Sequence, residues 1–132
     1  NDEKNNTDCI NCSNDLDWKF IATVKKSVED NMDNPSFNVD VLCNLLNMSR
    51  TSFYNKIKAL TDQAPADYIR LIRLKHAAQL LKEQKHTITE ISELTGFSDA
   101  KYFREVFKKH FNMSPSQYAK RGKEGKDDKE IK

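Results

Sequence analysis

The chain has 132 residues, 32% of them charged and 37% hydrophobic, with three glycines, three prolines and a formal net charge of +2. That length fits one compact domain of about 100 residues plus tails and argues against a sizeable active-site cleft between two domains. No run approaches the roughly 18 apolar residues of a membrane span, the N-terminus lacks a charged-then-apolar leader, and three cysteines cannot all pair within the chain. A soluble cytoplasmic protein without a disulfide framework is therefore expected.

The charge is unevenly spread. Residues 1–40 hold four Lys/Arg against nine Asp/Glu, residues 41–123 hold fifteen against seven, and residues 124–132 hold three against four. A basic middle between acidic or mixed ends is the footprint of an anion-binding surface, although lysine-rich helices are often merely solvated. The polar start (residues 1–16) and the charged end (residues 122–132) are expected to be disordered linker and tail, around a domain at 17–121. A first residue Asn rather than Met suggests a piece of something longer, with a sensor elsewhere.

Between the tails the pattern is all-α, with seven helices. The first is expected from about Asp17 to Met32, with Trp18, Ile21, Val24, Val28 and Met32 on one stripe, ended by Asn34-Pro35. The second follows an Asn38 cap and carries Leu42, Leu45 and Leu46 up to Asn47. The third follows Ser49 and turns Phe53, Ile57 and Leu60 inward. The fourth runs from about Pro65 to Gln84, with Tyr68, Ile72, Leu74, Ala77, Ala78 and Leu81 inside. Thr87 to Glu90 form a capping box opening the fifth, which carries Ile88, Ile91 and Leu94, and Gly96 ends it. Ser98 is expected to cap the sixth, with Phe103, Phe107 and Val106 inward. Ser114 to Gln117 make another capping box, opening a short seventh helix through Tyr118.

Two stretches are copies of one supersecondary unit. Val39, Leu42, Leu45, Met48 and Ser49 match Ile88, Ile91, Leu94, Phe97 and Ser98 at an offset of 49, while Phe53, Ile57, Pro65 and Tyr68 match Phe103, Phe107, Pro115 and Tyr118 at 50. One residue is inserted just after the second turn. Each copy is a short helix, a tight turn at Asn47 or Gly96, an apolar residue behind it, and a second helix preceded by Ser. That is the helix-turn-helix outline, here at about 39–61 and 88–111 with a linker helix at about 65–84. Single matches to it are weak, but two joined by one helix are strong.

With Phe53 and Ile57 inward, the third helix exposes Arg50, Thr51, Tyr54, Asn55 and Lys58. With Phe103 and Phe107 inward, the sixth exposes Ala100, Lys101, Arg104, Glu105 and Lys108. Donors, acceptors and a small apolar residue are mixed on these faces, as reading base edges requires. A fourth helix of about 20 residues is roughly 30 Å long, near the ~34 Å between successive major-groove segments, so one chain could place both second helices in adjacent grooves.

The segment from Ile88 to Tyr118 (ITEISELTGFSDAKYFREVFKKHFNMSPSQY) closely resembles the AraC/XylS family signature, and the first copy with Ile69-Arg-Leu-Ile-Arg-Leu resembles the rest of that module. The phrase MSRTSFYNKIKALT is similar to output domains of two-component, including hybrid, regulators. The resemblance implies two helix-turn-helix subdomains binding a double-stranded DNA operator, with an upstream receiver or sensor domain and RNA polymerase as candidate partners. It implies base reading by Thr51, Tyr54, Asn55, Ala100, Lys101, Arg104 and Glu105. Phosphate contacts are expected from Ser49, Arg50, Lys58, Arg73, Ser98, Lys108 and Lys109, with Arg73 also a candidate for an internal ion pair. Ser92, Thr95 and Asn112 depart from the usual Ala, larger apolar residue and Gly. The first two are expected to loosen the second core and leave the first unit as the more reliable anchor.

Other chemistry finds little support. Cys9-x-x-Cys12 has half the spacing of a zinc site, but no second pair follows, so no metal is expected. Cys43, aligned with Ser92, reads as a small residue at a helix contact. His76, His86 and His110 lack a matching carboxylate or cysteine set, and no phosphate loop or nucleophile constellation occurs, so neither an enzyme nor a cofactor is expected. The competing class is a helical adaptor that uses the basic face on an acidic protein.

Overall fold

Residues 11–121 are described in the computed structural model, and they form α1 (Asp15–Asp30), α2 (Val39–Leu46), α3 (Arg50–Thr61), α4 (Pro65–Glu83), α5 (Ile88–Leu94), α6 (Ala100–Phe111) and a last helix, α7, over residues 115–121. No strand occurs among the described residues. The expected loose ends at 1–10 and 122–132 lie outside them.

Short polar side chains set most helix starts. Asn14, Asn38, Ser49 and Thr87 accept backbone N–H bonds at the starts of α1, α2, α3 and α5, and Glu90 returns the bond to the Thr87 N–H at 2.8 Å. Ser114 and Gln117 exchange the same pair of bonds at 3.0 and 3.1 Å before α7. Each such cap contributes about 1 kcal/mol, so these boundaries are fixed locally before tertiary packing acts.

Residues 11–16, expected in the linker, are ordered. Asn11 donates from its backbone and side-chain nitrogens to the Leu60 and Ala59 carbonyls, both at 2.9 Å. Carbonyls in the last turn of a helix have no partner within it, and an asparagine can supply two donors at once. At its other end α1 stops at Asp30, before the Asn34-Pro35 step.

The chain divides into two compact units. Among the described residues, the first comprises 11–31 and Ser36–Ile72, the second Met32–Pro35 and 73–121. The continuous helix α4 thus supplies residues to both. In the first unit, α1 packs on α2 and α2 on α3. Ile21, Val24, Val28, Phe37, Leu42, Phe53, Ile57 and Tyr68 are all buried there. Phe20 meets the Phe53 ring edge-on at 6.1 Å, and the Lys56 ammonium lies 4.7 Å from the Phe20 ring centre.

In the second unit, Leu74, Ala77, Ala78 and Leu81 of α4 pack with Ile91, Phe97, Phe103 and Phe107. Ring contacts run from Phe97 to Phe103 (5.1 Å), Phe107 (5.6 Å) and Phe111 (4.4 Å), with Tyr118 of α7 closing on Phe107 at 5.4 Å. Ser92 and Thr95, expected to loosen this core, lie inside it. Both are buried, and their hydroxyls donate at 2.7 Å to the Thr89 and Ile91 carbonyls of their own helix. A buried hydroxyl with a partner escapes most of the cost of burial.

The apolar stripe of the two short helices differs from expectation at one leucine in each unit, whereas the expected inward places of Cys43 and Ser92 are observed. Leu45 is 57% and Leu94 39% exposed, while Cys43 and Ser92 are buried in their place beside Leu42 and Ile91. A helix of seven or eight residues makes only about two turns, so two adjacent positions and the one four residues after the first define its buried side. Cys43 accordingly fills a helix contact as a free thiol, its pKa raised mainly by burial. Cys12, by contrast, is disulfide-bonded.

Candidate nucleic-acid interface

The two second helices are built alike. Both α3 and α6 have 12 residues, and both end at a residue in the left-handed conformation, Asp62 (φ 63°) and Asn112 (φ 62°), 50 positions apart. The turns before them also pass through positive φ, at Asn47 (55°) and Gly96 (80°). Asparagine and aspartate tolerate this conformation, so Asn112 replaces glycine without changing the helix end.

The α6 cap is the exception. Asp99, not Ser98, accepts the Tyr102 N–H, at 2.7 Å. The one-residue insertion therefore falls before the cap, and Asp99 occupies the place of Ser49. Either residue type can cap, and the repeat offset was ambiguous at this point. The difference matters electrostatically, because α3 opens on a neutral hydroxyl and α6 on a carboxylate that already faces the positive end of its helix. Ser98 is left exposed one position earlier.

On α3, Arg50, Thr51, Tyr54, Asn55 and Lys58 are all exposed, with Tyr54 at 48%. On α6, Lys101, Arg104, Glu105, Lys108 and Lys109 are exposed and Ala100 is half-buried. Tyr102 was absent from the expected face, yet it is exposed, with its ring 6.1 Å from that of Phe97. Its position in the first turn, next to Lys101, was the available signal. The α6 surface ends in Lys108, Lys109 and His110, cations suited to a helix C-terminus. Partial burial, and then the nearby Lys75, lower the His110 pKa.

Arg73 does not belong to this surface. It is buried, and its guanidinium donates to the Met32 (2.9 Å), Thr95 (2.8 Å) and Asn34 (3.0 Å) carbonyls, all within the second unit. All three acceptors are backbone carbonyls. The side chain ties the segment after α1 to the turn after α5, which rules out the phosphate contact expected for it. Sequence alone cannot separate a basic residue aimed at solvent from one aimed at carbonyls.

These units are two helix-turn-helix motifs, each presenting a polar second helix. A helix-turn-helix domain family model matches residues 42–121. The chain is 46% identical over 106 residues to Histidine kinase P4 of Formosa agariphila, covering 80% of this chain and 8% of that protein. Among solved structures it is similar to the C-terminal domain of the two-component response regulator yesN from Fusobacterium nucleatum, at 27% identity and a TM-score of 0.69, covering 76% of this chain and 98% of that one. It is also similar to the DNA-binding domain of AdpA, the global transcriptional factor, in complex with a target DNA, at 26% identity and a TM-score of 0.68, covering 74% and 87%. The chain belongs to the AraC-type helix-turn-helix family, DNA-binding domains of transcription regulators. It spans between 8% and 38% of the length of the curated relatives it matches first.

Proposed function

We propose that this domain binds one operator with both second helices, α3 and α6 each entering a major groove, as the output end of a cytoplasmic signalling protein. The duplication carries this reading, since the same capped helix of 12 residues, with inward aromatic or aliphatic residues and outward polar ones, occurs twice. Thr51, Tyr54 and Asn55 read bases from α3, and Ala100, Lys101, Arg104 and Glu105 from α6. Ser49, Arg50, Lys58, Ser98, Lys108 and Lys109 meet phosphates. Similarity to the kinase and to the response-regulator domain supports an upstream receiver or sensor as the source of the signal, and RNA polymerase is the natural recipient of the output. Family membership gives the adaptor alternative no support.

Arg104 and Lys108 separate the two kinds of contact. If Arg104 pairs bidentately with a guanine, Arg104→Ala costs about 1–3 kcal/mol for one base identity at one position and little once that base is changed. Lys108→Ala instead weakens binding to every duplex alike and flattens the salt dependence by about 0.9 in log–log slope. Fluorescence anisotropy against a set of single-base operator variants at several salt concentrations measures both. Equal losses across all variants for Arg104→Ala would remove it from the base-reading set.

A further inference from the structure

We infer that Asp40 is an internal competitor for the DNA phosphate that Arg50 would otherwise engage, and so limits the affinity of the first unit for DNA. The inference rests on the phosphate role proposed for Arg50. Asp40 lies in the first turn of α2 and Arg50 is the first residue of α3. Their Oδ1 and Nη1 atoms are 2.7 Å apart, and the side chains are 59% and 73% exposed. The pair therefore bridges the turn on the outside of the motif, at the opening of the helix proposed to enter the groove.

A carboxylate there acts in one direction. Approach of a phosphate to Arg50 must displace Asp40 from the guanidinium or bring two anions beside one cation, and either raises the free energy of the complex. The aligned positions of the second unit hold no such pair. The residues aligned with Asp40 and Arg50 are Thr89 and Ala100, neither of which carries charge. Its own acidic residue near the helix opening, Asp99, is committed to the cap. The attenuation thus acts on one half of the domain only, and on binding to any sequence, since phosphate contacts carry no sequence information.

The test is a double-mutant cycle on the whole chain with Asp40→Asn, Arg50→Ala and the double variant. Each binds a 25-base-pair duplex of arbitrary sequence over a series of salt concentrations, and circular dichroism monitors folding. Asp40→Asn is expected to tighten binding about twofold to fivefold at low salt, the range an exposed ion pair can supply. It should also steepen the log–log salt slope by up to about 0.9. Arg50→Ala weakens binding, and in its background Asp40→Asn changes affinity by less than about twofold. If Arg50→Ala weakens binding while Asp40→Asn leaves affinity and slope unchanged, or tightens binding equally in both backgrounds, competition is refuted and the phosphate role of Arg50 survives. If Arg50→Ala has no effect, both fail. Should Asp40→Asn fold poorly, Asp40→Ser gives the same readout, because it too removes the charge.

Discussion

Arg73→Met is expected to destabilise the second unit by about 2–4 kcal/mol, a large share of the total for a domain of this size. Methionine keeps much of the apolar stem but removes the donors to three backbone carbonyls, those of Met32, Thr95 and Asn34. Buried acceptors stripped of their donor cost about 1–3 kcal/mol each when water cannot reach them, and partial relaxation keeps the sum below three full penalties. Hydrogen exchange resolved by residue should show α5 and α6 losing protection, with a lower urea midpoint at little changed slope. A phosphate-binding arginine would behave in the opposite way, leaving the urea midpoint unchanged and flattening the salt dependence of DNA binding. Unchanged protection in α5 and α6 would return Arg73 to the DNA surface.

The second large effect is expected at Gly96, where the same guanidinium passes over the backbone. A Cβ built there would lie 1.4 Å from Arg73 Nη1 and 2.5 Å from the Met32 carbonyl oxygen, and φ is +80°. Gly96→Ala therefore combines a strained left-handed residue with a clash against a fixed side chain and a backbone oxygen. The loss is expected at about 2–4 kcal/mol. Asn47 makes the equivalent turn in the first unit at φ 55°, so the dihedral angle alone does not demand glycine. Gly96→Asn consequently should recover only a small part of the loss, because its Cβ meets the same atoms. Thermal melts of the two variants measure this directly. A near-neutral Gly96→Asn would mean that conformation, rather than the space taken by Arg73, selects the glycine.

These two residues also mark how far the sequence could be read. Helix positions followed from local chemistry, since Asn38, Ser49, Thr87 with Glu90, and Ser114 with Gln117 all make the bonds their residue types and spacing predict. The repeat and the inward Phe53, Ile57, Phe103 and Phe107 were legible because helical periodicity over 12 residues is long enough to fix a face. Shorter helices defeated the same reasoning, and Leu45 and Leu94 stand outside despite their apolar side chains. Choices between adjacent residues were also hidden, as with Ser98 and Asp99, because both are good caps. Least legible were long-range polar contacts. Arg73 reaches a carbonyl 41 residues earlier in the chain, and no local pattern encodes that. Met32 likewise continues the α1 stripe in sequence but lies beyond the end of α1 and belongs to the second unit.

In the proposed function, one chain uses both helix-turn-helix units on one operator. The exposed polar faces of α3 and α6 support that reading. Selection of binding sites from random duplex DNA, followed by footprinting of the winning sequence, tests it most directly. The expected result is a bipartite site with two half-sites about 10 base pairs apart, protected by one monomer. Arg104→Ala should relax the sequence preference in one half only, and Asn55→Ala in the other. A single short site, unaffected by changes on one of the two helices, would contradict the use of both helices.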